Sequence, residues 1–196
     1  MNEIKARLAA RAAPAPATDG LIERAAEEGL VDVAYDAVDS PIGTLLVATT
    51  DEGLVRISFH SEAEDLVLEE LARRVSPRVV KAPRKVAQVA RELDEYFAGR
   101  RKDFDVPLDW RLVGPYARKV LTATAAIPFG QVSTYREVAR KAGNPAASRA
   151  AGNALGSNPI PVVVPCHRVL RTGGGLGGYG GGLDVKETLL RLEGVI

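Results

Sequence analysis

The pattern of hydrophobic and polar positions changes character near residue 31 of the 196-residue chain. Residues 1–18 favour a short helix followed by an Ala-Pro spacer, A-A-P-A-P-A-T-D-G, and residues 20–29 favour one or two further helical turns. Such a spacer is expected to be extended and flexible. Residues 1–30 are therefore interpreted as an N-terminal extension, to which the sequence assigns no role.

Apolar and polar residues alternate in the segment that follows. Three short runs, V-D-V-A-Y-D-A-V, T-L-L-V-A-T-T and G-L-V-R-I-S-F, are separated by S-P-I-G and D-E-G, which predicts an antiparallel meander. Two amphipathic patterns then predict helices, and the second ends at Gly99, a common C-terminal stop. Residues 31–107 are thus expected to form a small α/β domain with an antiparallel sheet.

A second domain is expected over residues 108–196. It opens with a helical pattern, Y-A-R-K-V-L-T-A-T-A-A-I, after which Thr134 and Glu137 have the spacing of a capping box and predict a short helix. Asn144 and Pro145 are expected to cap and begin a third helix, A-A-S-R-A-A-G-N-A-L. Helix, glycine-containing turn and helix is the pattern of a helix-turn-helix, and also that of an αα-hairpin packed in a core.

The third helix of this domain is rich in small residues. It includes Ala150 and Gly152, with Arg149 as its one long cation. A helix that reads the major groove usually carries several Asn, Gln, Arg or Lys side chains. Small residues allow close approach to the narrower minor groove, where a single arginine can insert between bases. The alternative is a helix kept small for tight packing against its neighbours.

Composition narrows the class of protein. Hydrophobic residues make up 46% and charged residues 26% of the chain, and no apolar run approaches the roughly 20 residues that a membrane span needs. The N-terminus lacks the apolar core of a secretory signal. The single cysteine excludes an internal disulfide, which is typical of a reducing compartment. We therefore predict a cytoplasmic protein without a membrane partner.

The net charge of +1 conceals an asymmetry between the two domains. From Leu108 onward there are 11 Lys and Arg residues against 5 Asp and Glu, whereas the rest of the chain has 15 against 20. The C-terminal domain is thus the half expected to meet an anionic partner.

The only cysteine, Cys166, lies in the sequence P-V-V-V-P-C-H-R-V. The valines predict a buried strand or extended segment that Pro165 would end.

A buried cysteine is usually inert. A nucleophilic thiol, however, needs a base, and His167 oriented by Glu193 would supply one. Adjacent residues of an extended chain point to opposite sides. Either a water bridges Cys166 and His167, or the backbone turns sharply at Cys166.

This segment resembles a known family. P-C-H-R-V, preceded by N-P-I-P-V-V-V and followed by Y-G-G-G-L-D-V-K-E-x-L-L-x-L-E, is similar to the O6-alkylguanine-DNA alkyltransferases, also called methylated-DNA–protein-cysteine methyltransferases. The resemblance runs without a gap from about Pro128 to Glu193 and more loosely back to Ser40. It implies direct-reversal repair, in which an O6-alkylguanine or O4-alkylthymine is flipped out of the duplex. Its alkyl group then moves irreversibly to cysteine in a single turnover.

The resemblance also implies a role for each matching position of the active site. Cys166 corresponds to the alkyl acceptor, His167 to the water-linked base, and Glu193 to the carboxylate behind that histidine. Asn158 corresponds to the asparagine that ties the active-site turn to the recognition segment. Tyr135 corresponds to the tyrosine that crowds the target phosphate and donates a hydrogen bond to the purine.

A second set of positions is implied in binding DNA and the flipped base. Arg149 corresponds to the arginine that replaces the flipped nucleotide in the stack, on the small-residue helix with Ala150 and Gly152 that enters the minor groove. The implied partner is double-stranded DNA, bound by a monomer with or without cooperativity, and no cofactor or metal is implied. Four positions would form the base pocket through carbonyl, side-chain or lid contacts: Val164, Val169, Tyr179 and Gly180.

The implied fold class is α+β, in which the α/β domain precedes a C-terminal helical domain with a winged-helix-like helix-turn-helix. The chain departs from the family pattern at Gly180, where many relatives carry serine, and at Leu121, where an aromatic residue is common. The N-terminal domain has no Cys/His cluster, so the structural zinc of some relatives is not expected. His60 stands alone and is expected on the surface.

Two other functions fit parts of the pattern. Alkyltransferase-like binding proteins keep the pocket but replace the acceptor cysteine, and the presence of Cys166 disfavours them. A helix-turn-helix transcription regulator would need base-reading side chains on its third helix. The alanine-rich sequence around Arg149 disfavours that function.

Overall fold

The computed structural model describes Gly20, residues 24–25 and residues 28–196. The helix and spacer predicted within residues 1–18 lie outside the described residues. Of the segment 20–29, Gly20 and residues 24–25 are helical. None of the helices in these described ranges has the length and apolarity needed to cross a bilayer.

The predicted antiparallel meander is confirmed. Strands β1 (Val33–Val38), β2 (Leu45–Thr50) and β3 (Gly53–Ser58) pair in sequence order. A short strand that the sequence pattern did not reveal, β4 (Val79–Lys81), pairs in parallel with β1, so the sheet order is β3-β2-β1-β4. The central strand β2 is buried along most of its length, which explains its nearly continuous apolar run.

Two helices accompany this sheet, as predicted. Helix α1 (Glu64–Arg74) follows β3, and helix α2 (Pro83–Phe97) follows β4 and packs on β1 and β2. Pro83 lies in the first turn of α2, where a missing backbone N–H breaks no helical hydrogen bond. The helix ends just before Gly99, the predicted stop. Its buried stripe has helical spacing: Val86, Val89, Leu93 and Tyr96.

The second part of the chain is mainly helical. Helices α3 to α5 pack on one another, and α6 packs against the short helix that contains the cysteine. A two-stranded parallel ladder of β5 and β6 joins the start of α4 to the segment after that short helix. The elements are α3 (Pro115–Ala125), β5 (Ser133–Thr134), α4 (Tyr135–Lys141), α5 (Ser148–Gly156), β6 (Val169–Leu170) and α6 (Leu183–Leu192).

The cap predicted for α4 is confirmed in its main contact. The Thr134 hydroxyl oxygen accepts a hydrogen bond from the Glu137 N–H at 3.2 Å. The Glu137 carboxylate does not return to Thr134 but accepts from the Ser133 hydroxyl at 3.1 Å. Together these bonds fix the start of α4, the helix whose first residue is Tyr135.

The predicted start of α5 is wrong. The helix begins at Ser148 with Ala147 as its N-cap, and no side chain caps it. Asn144 instead accepts the Ala147 N–H through its backbone carbonyl at 3.1 Å, so Asn144 and Pro145 form a turn. Asn144 and Pro145, which were expected to cap and begin the helix, therefore lie in the loop before it.

One hydrophobic core runs through both parts of the chain. The same buried cluster contains Leu93 of α2, Val120 of α3 and Leu189 of α6, and it reaches Cys166. The Ile57 N–H of β3 also donates to the Pro159 carbonyl at 2.8 Å. The sheet therefore supports the segment that leads to the cysteine, and the active-site geometry depends on both parts.

Candidate active site

The valine run before Cys166 is buried, but it turns instead of extending. The Val163 N–H donates to the Pro161 carbonyl at 2.9 Å, and the Cys166 N–H donates to the Val164 carbonyl at 2.8 Å. Val162, between the first pair, has a φ of 71°, a region that β-branched residues avoid. The prediction of a strand or extended segment is therefore wrong. Val162 and Val164 are fully buried, and their packing holds the strained backbone in place.

The chain turns sharply at the cysteine. Cys166 begins a 3-10 helix, Cys166–Arg168, in which all three residues are buried. The sharp turn, one of the two alternatives left open by the sequence, is thus present. Even so, His167 Nδ1 makes no direct hydrogen bond to the sulfur of Cys166.

Asn158 joins this turn to the end of helix α5. Its amide nitrogen donates to the Val164 carbonyl at 2.9 Å and lies 3.2 Å from the sulfur of Cys166. Its amide oxygen accepts the Ile160 N–H at 3.0 Å. Asn158 thereby fixes the turn and places a hydrogen-bond donor on the sulfur.

Glu193 lies at the end of α6 and accepts hydrogen bonds from several other elements. The Tyr96 hydroxyl donates to it at 2.7 Å, and His167 Nε2 lies 2.9 Å from the same oxygen. The Arg168 guanidinium donates to both carboxylate oxygens at 2.8–3.1 Å. The Gly130 N–H adds a longer contact of 3.3 Å. The carboxylate is therefore fixed by four residues from three parts of the chain.

These contacts determine which nitrogen of His167 can act as a base. Burial would raise the pKa of Glu193, but hydrogen bonds from His167, Arg168 and Tyr96 outweigh it and lower that pKa to about 2. An ionised carboxylate only accepts, so His167 Nε2 must donate to it. The other nitrogen, Nδ1, is buried and has no hydrogen-bond partner among the described residues. His167 Nδ1 is thus the atom able to take a proton.

The protonation states of His167 and Cys166 allow the histidine to accept a proton from the thiol. Burial lowers the pKa of His167 despite the opposing effect of Glu193, which favours the neutral imidazole. Burial raises the pKa of the Cys166 thiol, and the Asn158 hydrogen bond and the Lys186 charge only partly oppose it. Cys166 therefore retains its proton in the free protein, and its reactivity depends on a base.

A cavity of about 470 Å³ opens beside the cysteine. It brings together residues that the sequence separates by more than 40 positions. The members named from the sequence are Tyr135, Arg149, Gly152, Cys166, Tyr179 and Gly180. Arg171, which sequence reasoning did not single out, also lines it.

Of the positions named from the sequence for binding DNA or the flipped base, three lie outside this cavity wall. Ala150 is exposed on α5 beside Arg149. Val164 and Val169 are fully buried. The Val164 carbonyl already accepts from Asn158, and the Val169 carbonyl accepts from Lys186 at 2.7 Å.

The glycine-rich loop closes over Tyr135. A Cβ atom at Gly177 would lie 2.5 Å from the Tyr135 hydroxyl oxygen, and Gly177 has a φ of +71°, so only glycine fits without a shift. Burial raises the pKa of Tyr135, opposed by Arg171, which keeps the hydroxyl protonated as a donor.

Lys186 ties the same loop to β6. It is fully buried, and its ammonium donates to the carbonyls of Val169 and Leu176. Burial lowers its pKa to about 8. Lys186 therefore contributes a positive charge near Cys166 and holds the segment that carries Tyr179.

Besides Arg171, sequence reasoning missed three further residues that shape this site. Arg168 and Lys186 stand inside the quoted motifs, yet their buried roles depend on a fold that places them against carbonyls and a carboxylate. In the sequence, Tyr96 is visible only as one position of the apolar stripe on α2. Within the described residues, no group of three or more His, Cys, Asp or Glu is placed to hold a metal ion. His60 is exposed, as expected.

The chain is similar to known proteins over most of its length. Residues 33–110 match the family model of the 6-O-methylguanine DNA methyltransferase ribonuclease-like domain, and residues 115–195 match that of its DNA binding domain. A methylated-DNA–protein-cysteine methyltransferase of Mycolicibacterium paratuberculosis is 41% identical over 82% of this chain and 92% of its own. One of Methanosarcina acetivorans is 41% identical over 82% and 97%.

Solved structures give the same result. The crystal structure of Mycobacterium tuberculosis OGT in complex with DNA has a TM-score of 0.72 and 37% identity, covering 82% of this chain and 92% of that one. Its helical and sheet-containing parts correspond to the α+β fold described above, which confirms the predicted fold class. Both family models together cover most of the chain, and the chain belongs to the 6-O-methylguanine DNA methyltransferase family.

Proposed function

We propose that this protein repairs O6-alkylguanine in double-stranded DNA by transferring the alkyl group to Cys166. The observation that carries the proposal is the arrangement of Cys166, His167 and Glu193. Glu193 is 2.9 Å from His167 Nε2, and His167 Nδ1 is left unpartnered. The family membership and the methyltransferase names of the relatives support the same activity.

Activation begins with the thiol proton. A water between Cys166 and His167 Nδ1 would carry that proton to the neutral imidazole, because Nδ1 makes no direct hydrogen bond to the sulfur. The ionised Glu193 stabilises the imidazolium that forms. The Asn158 amide and the Lys186 charge stabilise the thiolate, since both lower the pKa of Cys166 against its burial.

The transfer itself is a displacement at carbon. The thiolate attacks the alkyl carbon attached to O6, the S–C bond forms as the C–O6 bond breaks, and the electron pair remains on the purine. The Tyr135 hydroxyl donates a hydrogen bond to the purine anion, which takes up one proton from solvent and becomes guanine. The His167 imidazolium releases the former thiol proton to solvent, so the protons balance. The thioether product does not hydrolyse under mild conditions, so each protein molecule acts once. O4-alkylthymine would react in the same way.

The lesion must leave the helix before it can react, because O6 is paired inside the duplex. Helix α5, with Ala150 and Gly152, approaches the minor groove closely, and Arg149 takes the place of the flipped nucleotide. Tyr179 and the Gly180 amide cover the extruded base, with Val169 behind it. The resemblance assigns its exocyclic amine to the carbonyls of Val164 and Cys166. The Val164 carbonyl already accepts the Cys166 N–H and the Asn158 amide, so the Cys166 carbonyl is the acceptor that we propose. The DNA complex of the Mycobacterium tuberculosis relative supports DNA as the partner.

The proposal extends to the domain organisation of the protein and to its location in the cell. We propose two domains, residues 31–107 and 108–196, preceded by an extension over residues 1–30. The protein acts as a cytoplasmic monomer without a cofactor, and cooperative binding along DNA is compatible with this organisation.

Mass spectrometry of the protein mixed with duplex DNA containing O6-methylguanine tests the proposal. We expect one methyl group on the peptide that contains Cys166, and none after Cys166→Ser, which should still bind DNA. An unmodified Cys166 peptide after reaction of the lesion, or no reaction at all, would refute it. An operator preference in place of sequence-independent binding would favour a regulator.

A further inference from the structure

Arg171 is the first residue after β6, and no step of the reaction described above uses it. In the parallel ladder of β5 and β6, Thr134 pairs with Leu170. Tyr135 and Arg171 are the next residues of the two chains, so both leave the end of a ladder whose strands lie about 4.8 Å apart. Both then line the cavity of about 470 Å³ beside Cys166. The ladder therefore brings a guanidinium to the same cavity wall as the proposed hydrogen-bond donor.

The backbone of Arg171 is fixed by the turn that it begins. Its N–H donates to the Gly175 carbonyl at 2.7 Å, and its carbonyl accepts the Gly174 N–H at 3.0 Å. The stem of the side chain runs beside Gly175, where an added Cβ would lie 3.8 Å from Cβ and Cδ of Arg171. Substitutions at Arg171 keep both main-chain hydrogen bonds, so the effect of the guanidinium can be separated from that of the turn.

The wall of this cavity carries positive charge. The described residues that line it include Arg149 and Arg171 but no Asp or Glu. The Arg171 guanidinium makes no hydrogen bond or ion pair within the described part of the chain, whereas Arg168 is neutralised by Glu193. Since the proposed function places Arg149 in the DNA stack, Arg171 is the cation that stays beside the extruded base.

Alkyl transfer creates a negative charge in this cavity. The Cys166 thiolate supplies the electron pair of the new S–C bond, and the pair of the broken C–O6 bond stays on the purine. The purine is then an anion until it takes up a proton from solvent. A positive charge already fixed where the anion forms stabilises the transition state more than the neutral substrate, and expulsion of water by the bound base strengthens its effect.

The Tyr135 hydroxyl connects Arg171 to this charge. Burial raises the pKa of the hydroxyl, and the charge of Arg171 opposes that rise. A hydroxyl whose proton is held less tightly is a stronger hydrogen-bond donor to an anion. Arg171 and Tyr135 therefore form a pair in which the arginine acts on the donor.

We propose that Arg171 is a positioning residue for alkyl transfer, and that its charge strengthens the hydrogen bond that Tyr135 donates to the departing purine. The group that benefits is the guanine anion and not a phosphate of the DNA backbone, because Arg171 shares a wall with Cys166 and with the hydroxyl proposed to contact the base. This inference rests on the proposed alkyl transfer and adds a residue to its mechanism.

Three variants separate charge from position. Arg171→Gln removes the charge and keeps most of the length of the side chain, and Arg171→Lys restores the charge. Arg136→Gln is the matched control, because Arg136 is exposed in the first turn of α4 beside Tyr135 but does not line the cavity.

The first measurement is the single-turnover rate with the free base O6-benzylguanine at saturating concentration, followed by intact-protein mass. This substrate has no phosphate, so it responds only to effects on the base. We expect Arg171→Gln to lose about fivefold or more, and Arg171→Lys and Arg136→Gln to stay within about twofold of the wild type. A loss confined to duplex DNA, with a smaller salt dependence of binding, would assign Arg171 to a phosphate and overturn the proposal.

The second measurement tests whether Arg171 acts through Tyr135, using duplex DNA with O6-methylguanine at saturating concentration. Arg171→Gln should slow transfer by about fivefold or more in the wild-type background and by less than about twofold in Tyr135→Phe, because the donor is already absent. An equal loss in both backgrounds would show that Arg171 acts independently of the hydroxyl and would also overturn the proposal. Failure of the wild-type protein to accept methyl would instead refute the proposed function.

Discussion

The Tyr96 hydroxyl donates a 2.7 Å hydrogen bond to the Glu193 oxygen that also faces His167 Nε2. Tyr96 belongs to helix α2 and Glu193 to the end of α6, 97 positions later. Burial and the adjacent carboxylate raise the pKa of Tyr96, so the hydroxyl remains a donor. A residue of the N-terminal part of the chain thereby sets the charge distribution of the carboxylate that orients the proposed base.

We predict that Tyr96→Phe shifts the pH dependence of alkyl transfer. Without the hydroxyl, the Glu193 oxygen interacts more strongly with His167 and raises its pKa, so the acidic limb of the rate profile moves to higher pH. The rate near neutral pH should fall by about tenfold or more, as expected for loss of a hydrogen bond to a charged group worth about 1.5–3 kcal/mol. Single-turnover rates between pH 5 and 9 measure both effects.

The structure offers a matched control for this substitution. The Tyr116 hydroxyl is buried and has no hydrogen-bond partner among the described residues. Tyr116→Phe should therefore leave the profile in place and leave stability equal or slightly higher. A pH profile for Tyr96→Phe that coincides with that of Tyr116→Phe would contradict a positioning role for Tyr96.

The same carboxylate predicts a loss of stability in acid. Glu193 has a folded-state pKa of about 2 against a reference value of 4.5. A lowered pKa contributes stability that is present above the unfolded value and is lost as pH falls from about 4.5 to about 2. The shift corresponds to about 3 kcal/mol. His167, whose pKa is also lowered, adds a separate loss that begins below its reference value of 6.5.

Urea unfolding at a series of pH values checks this prediction. Glu193→Gln should be less stable at neutral pH, because it leaves Arg168 without its buried counter-charge. Its free energy of unfolding should also change less between pH 4.5 and 2 than that of the wild type. Glu187→Gln, on the exposed face of α6 where Glu187 pairs with Arg191, is the control. Equal acid slopes for all three proteins would show that Glu193 does not carry the effect.

The sequence predicted the regular elements better than the contacts between them. Strands β1 to β3 and the helices follow from local periodicity, whereas β4, with three half-buried or exposed residues, has no alternation to reveal it. The valine run has the composition of a strand, but packing of Val162 in the core imposes a positive φ that no local preference predicts. The pairing of Tyr96 with Glu193 depends on the tertiary fold alone. The motifs identified Cys166, His167, Glu193 and Asn158, but not Tyr96 and Arg168, which hold the carboxylate.

Lys186 provides a test of how the glycine-rich loop is held. Its ammonium joins the carbonyls of Val169 and Leu176, and Lys186→Met would keep the length of the side chain but lose both hydrogen bonds. We expect faster amide hydrogen exchange over residues 171–182 and a transfer rate lower by about tenfold, since Tyr179 and Gly180 lose their fixed position. Arg191→Met on the exposed face of the same helix is the control. Unchanged exchange in this loop would contradict the tethering role.

Substitution of Arg149 tests extrusion of the lesion separately from the alkyl transfer that follows. It is exposed on α5 and lines the same cavity as Tyr135 and Cys166. Because flipping a nucleotide costs a few kcal/mol, Arg149→Ala should slow reaction with O6-methylguanine in duplex DNA by about tenfold or more. Reaction with the free base O6-benzylguanine needs no flipping and should stay within about twofold of the wild-type rate.

The comparison of these two substrates distinguishes insertion from simple attraction to phosphate. Arg118→Ala removes a cation from the exposed face of α3 and serves as the control, with a small effect on both substrates. If Arg149 only contacted phosphate, its loss would reduce the salt dependence of DNA binding by about one unit of slope and leave the rate at saturating DNA unchanged. A fluorescent base analogue opposite the lesion reports extrusion directly. Undiminished extrusion in Arg149→Ala would exclude insertion as the role of this side chain.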